Sequence, residues 1–240
     1  MKFKKLNLSL SIFVLILLFG FYWYMKNSVY IFNFIPADSV LQELNDGSQG
    51  FSSMRAYTLN YAFFFLLLMK VYTQSEKPHI VTRSKSRKSL YIKKLISVFN
   101  SAFLFSFIYS LINLTLTTFF YGFNILIESN FILILLFNLI ILTLFYWWVG
   151  LIEQTLEDKG LSMNVSMIIT FVIVALLYFL RRKDFWVPVN DLIVYDYLLK
   201  GIWGYTDLLL AYGRHIAIVC ILIILGSLIY KEKDFITYEQ

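Results

Sequence analysis

The chain has 240 residues, of which 59% are hydrophobic and only 15% are charged. Soluble globular proteins average about 45–50% apolar and about 25% charged residues, so this composition excludes a soluble domain and predicts an integral membrane protein. The net charge of +6 does not indicate nucleic-acid binding, because the cations lie beside apolar segments, where membrane orientation and anionic lipid account for them.

Six apolar stretches follow one another along the chain. A bilayer core about 30 Å thick needs roughly 20 apolar residues in a spanning helix. The first stretch runs into aromatic residues 21–24 without a small-residue cleavage site, which predicts a retained span rather than a signal peptide. The chain is therefore predicted to be a single all-α transmembrane domain over residues 1–240, with spans at residues 6–24, 56–72, 95–121, 131–152, 163–180 and 211–230.

Two connections are longer than plain turns. Residues 26–55 predict a structured or mobile outer loop. Residues 184–210 are apolar, but Asp, Lys and Gly residues interrupt them at a spacing that opposes a seventh span. They predict one or two short helices that lie at the outer interface or re-enter it, with Trp186 and Trp203 as anchors.

The distribution of Lys and Arg predicts the orientation. With the N-terminus inside, 14 of the 21 cations fall on the cytoplasmic side and 7 on the outer side. The positive-inside rule then predicts a multi-pass protein of the cell membrane with both termini in the cytoplasm. The triplet formed by Arg181, Arg182 and Lys183 runs against this pattern, because the same order of spans places it outside.

The sequence contains no recognised catalytic or metal-binding pattern. His79 and His215 are assigned to opposite faces of the membrane, and no pair of ligands has the spacing of a metal site. Neither a nucleophile elbow nor a phosphate-binding loop occurs. The acidic residues Glu153, Glu157 and Asp158 are interpreted as a solvated helix cap, so the chain is predicted not to be an enzyme.

Polar residues inside the spans allow two interpretations. Asn60, Asn113 and Asn138 could form hydrogen bonds between helices or could line a path for a polar substrate. The first is favoured, because the predicted spans carry no ionisable residue near their middle that would mark an ion or proton pathway. The pair Trp147 and Trp148 is interpreted as part of an interfacial aromatic belt.

The stretch TRSKSRKSLYIKKL, residues 82–95, concentrates positive charge directly before the third span. Arg83 and Arg87 are four residues apart and Lys94 follows seven later, which places them near one stripe of a helix along the inner membrane surface. On charge alone, contact with anionic lipid explains the stretch.

The spacing of Arg83, Ser86, Arg87 and Lys94 around an apolar helical stretch resembles the segment after the second helix of ABC-2-type transporter permeases. The Pro that is common in that segment is replaced here by Ser84. The layout of six helices, a long first outer loop and an outer re-entrant segment before the last helix is also similar to this family.

The resemblance implies that a cytosolic coupling helix between helices 2 and 3 docks on a separate ABC ATPase subunit. ATP and Mg would then be bound by that partner and no cofactor by this chain, which would form a homodimer, or a heterodimer with another permease. The implied function is export of a peptide or another amphipathic or hydrophobic substrate. The alternatives are a non-transporting scaffold or an immunity protein that acts by binding, and an unrecognised membrane enzyme.

The predicted topology can be tested by cysteine labelling in intact cells. In a chain whose native cysteine is replaced by Cys220→Ser, we expect Ser48→Cys to react with an impermeant reagent from outside and Ser89→Cys to be protected. The cation asymmetry is the physical reason. Labelling of both positions from outside would rule out the arrangement with six spans and cytoplasmic termini.

Overall fold

The computed structural model describes residues 2–33, 41–43, 45, 49–72, 87–181 and 185–232, and the regular elements within these ranges are helices. A π-helical turn, Ala56–Tyr61, opens α2, and a 3-10 helix, Pro188–Leu192, precedes α7. The α-helices are α1 (Lys2–Asn33), α2 (Ala56–Tyr72), α3 (Arg87–Tyr121), α4 (Phe123–Glu128), α5 (Phe131–Asp158), α6 (Met163–Phe179), α7 (Val194–Leu199) and α8 (Tyr205–Glu232).

Four of these helices are long and apolar enough to cross a bilayer: α1, α3, α5 and α8. The protein is therefore an all-α membrane protein. The two shorter apolar helices, α2 and α6, coincide with the second and fifth predicted spans. All six predicted stretches are thus helical, whereas a full crossing by α2 and α6 stays a prediction.

The long helices form one bundle around α5, which packs chiefly against α3 and α8 and also touches α2, α6 and α7. Phe105 packs on Tyr146 with ring centroids 4.8 Å apart, and Lys94 pairs with Asp158, so α3 and α5 run antiparallel. The helices of the six predicted spans, α1, α2, α3, α5, α6 and α8, alternate in direction along the chain. Parallel packing of α1 with α3 and of α2 with α5 is shown by Phe19–Phe105, Trp23–Phe120, Tyr57–Asn138 and Phe65–Tyr146. Antiparallel packing of α2 with α6 and of α3 with α8 is shown by Phe63–Phe171, Lys70–Asn164 and Arg87–Lys231.

This alternation gives the bundle two ends. We call one the charged end; it contains the starts of α3 and α6 and the last turns of α2, α5 and α8. The other, the opposite end, contains the last turns of α1 and α3 and the starts of α5 and α8. Arg181, the described member of the cationic triplet, donates to Met54 at the opposite end, with Nη1 and Sδ 3.4 Å apart.

Several helices extend beyond the apolar stretches that predicted them. α3 begins at Arg87 rather than at residue 95, and α5 continues to Asp158 rather than ending at residue 152. Polar residues such as Glu, Gln and Lys are good helix formers, so helical structure does not stop where the apolar run stops. Arg87 to Lys94 therefore form the first turns of α3 and not a separate coupling helix; residues 73–86 lie outside the described residues.

The connection at residues 184–210 contains two short helices where one or two were predicted, the 3-10 helix and α7. Pro188 stands at the start of the 3-10 helix, where its missing N–H costs no hydrogen bond. Val189, Leu192 and Val194 are buried, and both short helices pack on α5. The connection therefore caps the opposite end of the bundle with an apolar inner face.

Aromatic rings build most of the core between α1, α2, α3 and α5. Phe19 meets Tyr61 and Tyr109 edge-on, with ring centroids 5.1 and 5.7 Å apart, and Phe51 stacks on Tyr109 at 4.9 Å. Such contacts contribute beyond area burial because ring edges and faces carry opposite partial charge. The high aromatic content of the sequence thus fills the interior of this half of the bundle.

One glycine sets how closely α5 approaches α2 and α3. A Cβ atom built on Gly150 would lie 2.6 Å from Cγ1 of Val98 and 2.7 Å from Sδ of Met69. Such distances are well inside van der Waals contact, and the β-branched Val98 is stiff. Only a residue without a side chain fits this position.

We expect Gly150→Ala to lower the free energy of unfolding by about 1–3 kcal/mol, because the added methyl group overpacks the junction. The matched control is Gly20→Ala in α1, where an added Cβ meets nothing within 4 Å. That change should be neutral or slightly stabilising, since Ala is the better helix former. Thermal unfolding in detergent micelles measures both; equal melting temperatures would contradict the close approach.

Candidate functional site: the charged end of the bundle

The residues predicted to couple to an ATPase fall at the charged end as far as the structure describes them. Arg83 and Ser86 lie outside the described residues. Arg87 is exposed, and its Nη1 donates to the main-chain carbonyl of Lys231 in the last turn of α8, at 2.7 Å. Lys94, two turns further along α3, points into the bundle.

Lys94 forms a buried ion pair with the end of α5. Its Nζ lies 2.5 Å from Oδ1 of Asp158, and the two side chains are 13% and 1% exposed. The ammonium also lies 5.4 Å from the centre of the Tyr230 ring in α8. Because a cation is attracted to the face of an aromatic ring, this one side chain ties α3 to both neighbours.

Tyr91 adds a second connection between α3 and α8. Its hydroxyl donates to the main-chain carbonyl of Ile223 at 2.8 Å, and its ring lies 5.3 Å from that of Tyr230. Gly226 makes this possible, because a Cβ atom there would lie 2.6 Å from the Tyr91 hydroxyl. We refer to Tyr91, Lys94, Asp158, Gly226 and Tyr230 as the joint.

The joint differs from the sequence-based interpretation in two ways. The sequence predicts a solvated cap for the acidic residues at the end of α5, but Glu153 and Asp158 are buried. The resemblance implies that Lys94 takes part in coupling to an ATPase, whereas in the structure its ammonium lies against Asp158. The signal available in the sequence was that Lys94 begins one apolar span and Asp158 closes its antiparallel neighbour; the pairing itself required knowledge of which helices touch.

A second buried ion pair fastens the opposite end. Arg214 in α8 donates from Nε and Nη2 to Oδ2 and Oδ1 of Asp191, at 3.0 and 2.5 Å, and Nε1 of Trp186 donates to the same carboxylate at 3.3 Å. Burial raises the pKa of the Asp191 carboxyl above its ordinary value, and the charge of Arg214 opposes that rise. The bidentate geometry fixes the 3-10 helix against the first part of α8.

His215 lies beside this ion pair and is fully buried. Nε1 of Trp148 donates to its Nδ1 at 3.1 Å, so the proton of the neutral ring is on Nε2, which lies 3.9 Å from Oδ2 of Asp191. The interpretation of Trp148 as an interfacial residue is therefore wrong: its ring is 2% exposed and packs between α5 and α8. The described residues hold no group of three or more His, Cys, Asp or Glu side chains suited to a metal ion.

Hydrogen bonds between helices fill the interior towards the opposite end. Oδ1 of Asn113 accepts from Nε1 of Trp23 at 3.3 Å, and its Nδ2 donates to the hydroxyl of Tyr195 at 3.3 Å. Nδ2 of Asn138 donates to the hydroxyl of Tyr57 at 3.1 Å. These contacts support the interpretation of the polar residues as links between helices over that of a polar path within one chain.

No family model, curated protein or solved structure matches this chain. The resemblance to ABC-2-type permeases therefore rests on the residues and the layout of the sequence.

The ion pair of the joint can be tested by its contribution to stability. We expect Lys94→Ala to lower the free energy of unfolding by about 3–5 kcal/mol, because the Asp158 carboxylate would stay buried without the charge of the Lys94 ammonium. The exposed neighbour Lys93 offers a matched control, and Lys93→Ala should change stability by no more than about 0.5 kcal/mol.

A double-mutant cycle separates the pair from other effects of Lys94. Adding Asp158→Ala to Lys94→Ala removes the uncompensated charge and should recover part of the loss, measured by chemical denaturation in micelles. Strict additivity of the two substitutions would mean that the ion pair contributes nothing.

Proposed function

We propose that the chain is the membrane subunit of an ATP-driven exporter whose energy comes from a separate ATPase subunit. The observation that carries this proposal is the joint, where the start of α3 is fastened to the ends of α5 and α8 by buried polar contacts. A coupling element needs such a connection, because the displacement of a single loosely packed helix would deform that helix without moving its neighbours.

Through the joint, a displacement of the start of α3 would be transmitted to the other helices of the bundle. In the sequence, residues 82–86 immediately precede Arg87, the first residue of α3, so a displacement of these residues acts first on this helix. Lys94 and Tyr91 pass it to α5 and α8, the two helices on which most of the bundle packs. Buried polar pairs suit this task because alternative arrangements leave a charge unpaired.

The predicted coupling residues then divide into two roles. Arg83, Ser86 and Arg87 remain the proposed contacts to the ATPase, where the positive charge of the two arginines favours an acidic or acceptor-rich groove. Lys94 is assigned to the joint instead, since its ammonium is held by Asp158. ATP and Mg would be bound by the partner subunit.

The packed interior bears on where a substrate could pass. Rings and side-chain hydrogen bonds fill the space between α1, α2, α3 and α5. Passage would therefore run between two such chains, in a homodimer or with a second permease. The exposed faces of α1 and α8 are apolar, which favours a hydrophobic or amphipathic substrate such as a peptide.

The same closed interior also favours a second candidate, a non-transporting scaffold or immunity protein that acts by binding. Such a protein needs a stable membrane fold and a recognition surface but no energy input. The two candidates differ in whether an ATPase belongs to the complex.

The proposal is tested by purifying the tagged chain from its native membrane in mild detergent and measuring ATP hydrolysis of the eluate. We expect a co-purifying ATPase, and we expect ATP hydrolysis of the eluate to fall about tenfold or more with Arg83→Glu, Arg87→Glu. The two charge reversals replace attraction to the partner by repulsion, and about 1.4 kcal/mol of weaker binding corresponds to a factor of ten. Gel filtration checks that the variant still folds, because Arg87 also contacts α8.

The matched control is Lys88→Glu, Lys93→Glu, which reverses two exposed charges in the same segment away from the motif positions. It should retain most of the ATPase. An equal loss in both variants would show that charge and not spacing matters. An eluate of folded protein without ATP hydrolysis would overturn the exporter in favour of the binding function.

A further inference from the structure

Glu153 differs from the other buried acids of the bundle. Its side chain is 1% exposed, and neither carboxyl oxygen has a hydrogen-bond partner among the described residues. Asp158 and Asp191, by contrast, each lie against a cation at hydrogen-bonding distance. Glu153 therefore has burial without compensation.

Such burial strongly disfavours the charged form of a carboxyl. An isolated carboxylate removed from water loses far more solvation than a neutral acid does, so the group takes up a proton or acquires a cationic partner. The described residues offer no cluster of ligands for a metal ion. A proton and a nearby ammonium group are the two remaining means of neutralising the charge.

Charged groups on α5 and α2 bear on Glu153, which lies one turn after Gly150, where these two helices approach closely. On α5 itself, Glu157 lies one turn further on and repels negative charge at Glu153, whereas the ammonium of Lys70 in α2 attracts it. Lys94 of α3 is paired with Asp158, and Arg87, Lys88 and Lys93 of the same helix are exposed. The last turn of α2 also meets α6, which presents the uncharged amide of Asn164.

Lys70 follows Met69, whose side chain packs against Gly150 of α5. Its Nζ donates to Oδ1 of Asn164, in a short contact at the exposed edge of the bundle. It forms no hydrogen bond with Glu153. Glu153 lies one turn beyond Gly150 on α5, and the charge of Lys70 favours the ionised form of its carboxyl. The flexible four-carbon stem of a lysine lets the ammonium reach more than one partner from the same backbone position.

We propose that Glu153 is a proton-binding site, and that loss of its proton draws Lys70 from Asn164 on α6 to Glu153 on α5. In the protonated state Lys70 ties α2 to α6 through its contact with Asn164, the contact present in this structure. In the deprotonated state the new carboxylate is the stronger acceptor, and Lys70 ties α2 to α5 instead. The proton thus controls which neighbour the last turn of α2 holds, independently of the exporter function proposed above.

The proton itself is observable by infrared spectroscopy of the full chain in lipid vesicles. A difference spectrum between mildly acidic and mildly alkaline buffer should contain the C=O band of a protonated carboxyl. We expect Glu153→Gln to remove this band and Glu157→Gln to keep it. A spectrum in which Glu153→Gln changes no carboxyl band would overturn the proton site.

The exchange of partners is observable through stability. Asn164→Ala should lower the melting temperature in acidic buffer, where Lys70 needs the amide, and have little effect in alkaline buffer. In a Glu153→Gln background, Asn164→Ala should lower the melting temperature equally at both pH values. In a Glu157→Gln background, which keeps Glu153, the effect of Asn164→Ala should still depend on pH. An effect of Asn164→Ala that is the same at both pH values in the unmodified background, or absent at both, would overturn the exchange.

Discussion

Within a bilayer, two apolar helices gain little from burying their side chains against each other, because lipid is equally apolar. Close approach and polar contacts must therefore hold the helices together. In this protein the approach of α5 to α2 and α3 depends on Gly150, and that of α8 to α3 depends on Gly226. At these two positions the glycines let side chains of the neighbouring helices, such as Val98 and Tyr91, lie against the backbone of α5 and α8.

Polar contacts then fasten each end of the bundle. Lys94 and Asp158 close the charged end, and Arg214 and Asp191 hold the capping connection at the opposite end. Between them, aromatic rings and amide hydrogen bonds fill the interior. This distribution keeps the polar contacts inside the bundle and leaves large apolar side chains exposed along the long helices, as contact with lipid requires.

The sequence was sufficient for the properties that depend on composition. Apolar runs located the four long helices and the two shorter apolar ones, and α2 occupies the predicted residues 56–72. Helix ends were less predictable, because α3 and α5 continue through polar residues that also favour helix. Arg83 and Ser86 lie outside the described residues, so their role stays a prediction.

The candidate site could not be read in the same way. Lys94 and Asp158 are separated by 64 residues, and their pairing depends on which faces of α3 and α5 meet. The same limit applied to Trp148 and His215, whose contact joins α5 to α8. Periodicity shows that a helix has an inner face, but not which partner that face meets.

The alternating directions of the helices have an electrical consequence. Each helix carries a backbone dipole equivalent to about half a charge at each end, and antiparallel neighbours oppose one another. Both buried ion pairs are likewise neutral as units. A membrane voltage therefore does little work on the folded backbone or on those pairs, and it acts on the interior mainly where a net charge appears or disappears. Asp158 and Asp191 are each paired with a cation, so Glu153 is the acid of these three at which gain or loss of a proton would change the net charge of the interior.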